Sequence, residues 1–265
     1  MSDGFQQAHY HKPDMWNPAE WHERKADQER ARLAAAWLPP EVSSVLDVGC
    51  GNGIFTNLEE PTRTKTGVDM SRTALSHVTA PCVQADAAWL PFDDNRFDAS
   101  LSMEMLEHLP NAVYRTALQE IVRVARSYIL ITVPYNEKLT DSRVTCPACQ
   151  CMFHPYHHVR QYRREAFETL LGRHSRLIRL EAIVPTQGMA LPGLWNLIRL
   201  AYHRGGRHFP AHAVCPQCGY TPDKQVASAQ TGPQAQAKRG TMRHWWLKRA
   251  TYTWWMALYQ KGAQG

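Results

Sequence analysis

The stretch Val45-Leu46-Asp47-Val48-Gly49-Cys50-Gly51-Asn52-Gly53 limits the choice of fold more than any other part of the chain. Its apolar opening reads as a buried strand, and glycines at 49, 51 and 53 follow at once in a G-x-G-x-G spacing. Residues without side chains let the backbone enter left-handed conformations and let a ligand lie against bare peptide. A strand that opens into such a turn and then a helix is how α/β proteins receive nucleotide-like ligands. About twenty residues on, Gly67-Val68-Asp69-Met70-Ser71 ends a second β-type run in an acid, placed to accept hydrogen bonds from both hydroxyls of a ribose.

From Val42 onward short β-type runs alternate with helical stretches. Strands are expected at 45–48, 66–69, 82–84, 97–102 and 128–133, with a helix at 112–125 whose Val113, Ala117, Leu118, Ile121, Val122 and Ala125 share one face. Such alternation implies an α/β fold, a Rossmann-like, mostly parallel sheet sandwiched by helices. The expected organisation is a lid helix within 1–41, starting at Asn17-Pro18 with Trp16 and Trp21 and ending before Pro39-Pro40, then a core over 42–184. A Cys/His insertion at 140–160 interrupts the core, which resumes with a helix at 163–171 and a strand at 177–184. Residues 185–220 carry a second cysteine knuckle on the acceptor side, 221–240 read as a flexible linker, and 241–265 as a Trp-rich basic helical extension over 242–259.

Residues 42–134 resemble the class I S-adenosylmethionine (SAM)-dependent methyltransferases, of the type 11 and ubiquinone-biosynthesis O-methyltransferase kind. The likeness rests on the glycine turn, Asp69, Asp86 after the third strand and the 97–109 segment. It implies that Gly49 and Gly51 contact the methionine part, Asp69 the ribose, Met70 and Ala87 the adenine faces, Asp86 its amino group and Met103 the sulfonium side. Asp47, Cys50, Asn52, Gly53 and Ser102 complete the implied cofactor-binding set. Arg30 or Arg32 either pairs with the methionine carboxylate or faces solvent. A dehydrogenase also uses a strand, a glycine turn and a later acid, but its spacing is G-x-G-x-x-G.

Methyl transfer from a sulfonium is an in-line displacement, which needs alignment, exclusion of water and, for a hydroxyl acceptor, a base. Glu104-Met105-Leu106-Glu107-His108 stands where the acceptor cleft opens and is similar to the E-x-x-E-H stretch of the ubiquinone-biosynthesis enzymes. There these side chains are associated with a divalent cation such as Mg2+; similar stretches elsewhere order the loop without metal. Candidate bases are His108 and, before Val159-Arg160-Gln161-Tyr162, His154 and His158, with His157 beside them; packing is the competing role.

The chain has seven cysteines, at 50, 82, 146, 149, 151, 215 and 218, an odd number that suits metal rather than a disulfide framework. Cys146-Pro147-Ala148-Cys149 and Cys215-Pro216-Gln217-Cys218 are matched C-x-x-C knuckles, the spacing at which a tight turn offers both sulfurs to a tetrahedral Zn2+. Cys151 and His154 are alternative ligands, and a catalytic dithiol is the competing reading.

The formal charge of +6 is unevenly spread. Residues 1–159 hold 14 Lys/Arg against 20 Asp/Glu, and 160–265 hold 16 against 4. The basic end suits an anionic partner or a solvated surface. Trp195 with Arg199 and Arg204, and Trp245-Trp246-Leu247-Lys248-Arg249 with Trp254-Trp255, suit either an anionic membrane surface through 190–210 and 241–265 or docking on the core. With neither a spanning run nor a leader pattern, the expected place is the cytoplasm, reaching the inner membrane face. The expected reaction is O-methylation of a small molecule or a lipid-linked glycan. The alternatives are a nucleic-acid methyltransferase and a catalytically silent SAM-binding partner.

Overall fold

The computed structural model describes residues 16, 25–173, 175–187, 209–210, 213–222 and 250–262. The chain divides into two compact units. The larger holds Ser2–Glu137, Val159–Val184 and Tyr252–Gly265, and the smaller holds Lys138–His158 and Pro185–Thr251 together with Met1.

In the larger unit, α1 (Lys25–Trp37) comes first, with Ala31, Ala34 and Trp37 buried along one side. Residues 17–24, including Trp21, lie outside the described residues. There follow β1 (Ser44–Val48), β2 (Thr64–Asp69), the short α2 (Arg72–Leu75), β3 (Cys82–Gln84), β4 (Phe97–Met103), α3 (Asn111–Val124) and β5 (Ala125–Pro134). The seven-stranded sheet has the order β3-β2-β1-β4-β5-β9-β8, with β8 spanning Ser175–Gln187 and β9 Ala250–Lys261. Strands β1 to β5 are mutually parallel. Because β1 pairs with β2 on one side and β4 on the other, the strand order reverses there, and a crevice opens beyond the carboxyl ends of those two strands.

The parallel strands are apolar on both faces because both faces are covered. In β5, Ile129, Leu130, Ile131 and Val133 are all buried. Against one face pack Leu118, Ile121 and Val124 of α3, and against the other Ala31, Ala34 and Trp37 of α1. This two-sided cover is the sandwich expected from the alternating pattern.

The Trp-rich stretch departs from expectation. From Ala250 to Lys261 it is a strand, antiparallel to β5 with Tyr128 opposite Gln260 and Pro134 opposite Trp254. Trp254, Met256 and Leu258 enter one core cluster, while Trp255, Ala257 and Tyr259 enter the other. A strand buried on both faces is hydrophobic at every position, which hides the period of two and imitates a helix all of whose sides are apolar. Residues 242–249 lie outside the described set. Two smaller differences accompany this one: the expected 163–171 helix is a 3-10 turn at Arg164–Glu168, and the expected 177–184 strand extends to Ser175–Gln187.

The smaller unit contains α4 (Leu139–Ser142) and the two-stranded ribbon of β6 (Val144–Thr145) and β7 (Met152–Phe153). Among the described residues, no helix is long and apolar enough to cross a membrane.

Candidate active site

The site is built where β1 ends. The amides of Gly49 and Cys50 both donate to the carbonyl of Val68, at 2.7 and 3.0 Å, so the turn is fastened to β2 as it leaves the sheet. Gly49 has φ +76, Gly51 φ +55 and Gly53 φ +84, left-handed values that penalise any side chain. Space is as restrictive as torsion. A Cβ at Gly49 would come within 2.8 Å of the Met105 side chain, and one at Gly51 would lie 2.8 Å from the Trp16 ring. The lid tryptophan expected from the sequence therefore lies on the bare turn. The expected helix after Gly53 shrinks to a turn closed by the Asn57 amide on the Gly53 carbonyl.

Asp69 ends β2 beside this turn. One of its carboxylate oxygens accepts from the Gly51 amide at 2.9 Å and the other from the Ser71 amide at 2.8 Å. The carboxylate is thus held by two backbone amides at the edge of the turn. Met70 and Ala87 are half-buried, and Asp86 is exposed, with its carboxylate accepting from the Ala88 amide at 2.8 Å.

Other residues of the expected set are buried or half-buried around the turn and at the end of β4. Asp47 is buried and accepts from the Thr56 hydroxyl at 2.7 Å; burial pushes its carboxyl up to about 6. The Cys50 thiol is packed against Gly67, where a Cβ would meet Sγ at 2.8 Å, and burial drives its pKa up. Asn52 and Ser102 are buried, and Met103 is half-buried at the end of β4.

Directly after Met103 lies an acid cluster that the sequence reading only touched on. Glu104 has φ +56, and its amide donates to the Thr132 carbonyl. The Arg30 guanidinium stands 3.6 Å from its carboxylate, contacts Asp27 at 3.0 Å and lies 4.4 Å from the Trp254 ring centroid. Of the two candidate arginines, Arg30 is buried and Arg32 exposed. Burial outweighs Arg30 and a Trp254 hydrogen bond, pushing Glu104 up to about 7, and burial with the neighbouring Glu104 holds Glu107 well above the usual carboxylate range. Nothing in the sequence placed Trp254 here, because its strand was read as helix. Arg30 therefore faces the first acid of the E-x-x-E-H stretch.

His108 lies on the 3-10 turn Leu106–His108, half-buried, with Nε2 3.9 Å from the Glu107 carboxylate. His154 and His158 belong to the smaller unit, stacked with ring centroids 4.5 Å apart. There too Cys146, Cys149, Cys215 and Cys218 bring their sulfurs within 4.8 Å of one another.

A parallel sheet whose order reverses between β1 and β4, with a bare turn and an anchored acid at the reversal, has the Rossmann-like fold of the class I SAM-dependent methyltransferases. Residues 46–129 match the sequence family described as a methyltransferase domain. A tRNA (carboxymethyluridine(34)-5-O)-methyltransferase of Arabidopsis thaliana is 35% identical over 112 residues, 40% of this chain and 28% of that protein. A ubiquinone biosynthesis O-methyltransferase of Alkalilimnicola ehrlichii is 31% identical over 106 residues, covering 36% of this chain and 43% of its own. The chain thus aligns with less than half the length of either relative. A SAM-dependent methyltransferase from Archaeoglobus fulgidus superposes with a TM-score of 0.51 at 18% identity, over 88% of this chain and 92% of that one.

Proposed function

We propose that this protein transfers the methyl group of SAM to an oxygen atom of its acceptor. The observation that carries the reading is Asp69, fixed by the amides of Gly51 and Ser71 beside three left-handed glycines. That turn suits an adenosyl ligand because left-handed glycines at 49 and 51 leave its backbone without side chains. When bound, SAM supplies an electrophilic methyl on a sulfonium.

The chain's own groups divide the remaining work. Asp69 accepts from the ribose hydroxyls, and Gly49 and Gly51 offer bare peptide to the methionine part. Met70 and Ala87 flank the adenine, and Asp86 accepts from its amino group. Arg30, buried with Nε lacking a hydrogen-bond partner among the described residues, meets the methionine carboxylate. Trp16 covers the turn and keeps water from it. His108, on the turn that follows β4, takes the proton of a hydroxyl acceptor; a carboxylate acceptor needs no base.

Oxygen as the methylated atom is supported by the names of both curated relatives, which specify O-methylation. The acceptor is read as a small molecule or glycan. A second reading, tRNA, is favoured by the Arabidopsis relative. A membrane anchor made from Trp254 and Trp255 is not part of the proposal, since both are buried in the core. We also propose that Cys146, Cys149, Cys215 and Cys218 hold a structural zinc ion.

The test supplies methyl-labelled SAM to the protein with extracts fractionated into small metabolites, glycans and RNA, beside Asp69→Ala as control. Label in one fraction, absent with the variant, identifies the acceptor class. Label in RNA that fades steeply as salt rises favours tRNA. No label in any fraction, with SAM nevertheless bound, would leave the silent-partner alternative standing.

A further inference from the structure

The two cysteine knuckles share one backbone design. In the first, the Cys146 amide donates to the Cys151 carbonyl at 2.9 Å, and the Gln150 amide donates to the Cys146 carbonyl at 3.0 Å. In the second, the Cys215 amide donates to the Tyr220 carbonyl at 3.0 Å, and the Gly219 amide to the Cys215 carbonyl at 2.9 Å. Donor and acceptor are offset identically in both. Gln150 and Gly219 hold the same place in the turn, and both are left-handed, with φ +59 and +71. Glycine takes that conformation without strain, whereas Gln150 must be held there by its surroundings.

The knuckles meet through their sulfurs. Cys146 lies 3.7 Å from Cys218, and Cys149 lies 3.5 Å from Cys215. A disulfide would need about 2.05 Å, whereas sulfurs each about 2.3 Å from a tetrahedral zinc stand about 3.8 Å apart. All four sulfurs fall within 4.8 Å of one another, as a closed site requires. Cys151 gives its carbonyl to the first knuckle and its thiol to the Met152 carbonyl at 3.9 Å, outside the group of four.

Around this point the described residues of the smaller unit form one small apolar cluster. Its buried members are Val144, Cys146, Phe153, Ala213 and Cys215, two of them knuckle thiols, with Cys149, Cys151, Phe209 and Tyr220 partly buried against them. The unit's two-stranded ribbon is short, matching Val144 with Phe153 and Thr145 with Met152. An apolar group this small does not offset the conformational entropy of ordering segments so far apart in the chain.

We infer that the metal ion is what folds the smaller unit: two matched knuckles, separately disordered, become one module when zinc joins them. The inference rests on the zinc reading given above. It also makes the module independent of the SAM cradle, none of whose residues is drawn from it.

The test is hydrogen-exchange mass spectrometry on the full chain as purified, after zinc is stripped by a thiol-reactive mercurial and chelator, and after ZnCl2 is restored. About one zinc per chain is expected at the start. Stripping is expected to raise exchange about tenfold or more at 144–153 and 213–220 and to leave 44–134 protected, with S-adenosylhomocysteine affinity changed less than about twofold. Zinc should restore the protection. Cys151→Ser should keep the metal and Cys215→Ser should lose it. Unchanged knuckle exchange in stripped protein overturns the folding role and spares the zinc reading. Absence of zinc, with none taken up on addition, overturns the zinc reading itself. Exchange that rises equally across 44–134 overturns the module's independence.

Discussion

Gly51 donates its amide hydrogen to the Asp69 carboxylate across 2.9 Å, joining the turn after β1 to the end of β2. The carboxylate is thereby aimed before any ligand arrives, so little ordering cost falls on binding. Replacing Asp69 by Asn keeps the shape but puts a donor where an acceptor is wanted. SAM and S-adenosylhomocysteine should each bind Asp69→Asn about 10- to 100-fold more weakly, read by calorimetry. An unchanged dissociation constant would remove Asp69 from the ligand's contacts.

Gly51 itself has φ +55, and a Cβ there would press on the Trp16 ring at 2.8 Å. Two penalties therefore meet in Gly51→Ala. One is torsional, about 1–2 kcal/mol, and the other is the displaced ring. Adding Trp16→Ala should recover only the second part, so thermal unfolding of the double variant should fall between Gly51→Ala and the parent. Full recovery would show that backbone conformation costs nothing at this position.

Glu104 titrates at about 7, above the 4.5 of an ordinary glutamate, because burial disfavours its charge. The folded chain consequently holds this proton more tightly than the unfolded chain. The resulting stabilisation is complete below about pH 4.5 and disappears as pH rises through 7, with a slope of at most about 1.4 kcal/mol per pH unit. Asp47, raised to about 6, adds a loss in the same direction at lower pH. Glu104→Gln should flatten the decline between pH 5 and 7 while leaving the parts due to Asp47 and to the burial of Glu107. Denaturant unfolding at several pH values reads this directly, and parallel curves for the two proteins would refute it.

Lys261 closes β9 with its ammonium on the Asn95 side chain and the carbonyls of Val122 and Ala125, each at 2.8 Å. Removing the ammonium leaves those acceptors without this donor, at a position where Lys261 is only 8% exposed. Lys261→Met should cost about 2–4 kcal/mol by urea unfolding. A loss below about 0.5 kcal/mol would mean that water reaches these carbonyls after all.

Much of the larger unit was readable from residues 42–134 because local signals and tertiary role coincide there. Expected strands at 45–48, 82–84 and 97–102 differ from the observed ones by at most a residue at either end, and the α3 helix differs by a single residue at each. Beyond Pro134 that agreement weakens for identifiable reasons. Trp254 to Tyr259 is buried on both faces, so its composition carries no period to read. The 163–171 segment has only Phe167 and Leu171 buried, too little to extend a turn into a helix. At the site, chain spacing identified Asp69 but not the Arg30, Glu104 and Trp254 group, whose members come from three elements distant in sequence. Its nearest signal was Glu104 in the E-x-x-E-H stretch, whose spacing carries no information about Arg30 or Trp254.

The sheet order places β9 between β5 and β8, although β8 is made first. While the chain is being synthesised, residues 175–187 must therefore wait without a neighbour until 250–261 have emerged to bridge them to β5. Chains stopped before Ala250 should leave that segment exposed to proteases and prone to pairing with another copy, so damage far from the catalytic crevice would be felt first as poor yield.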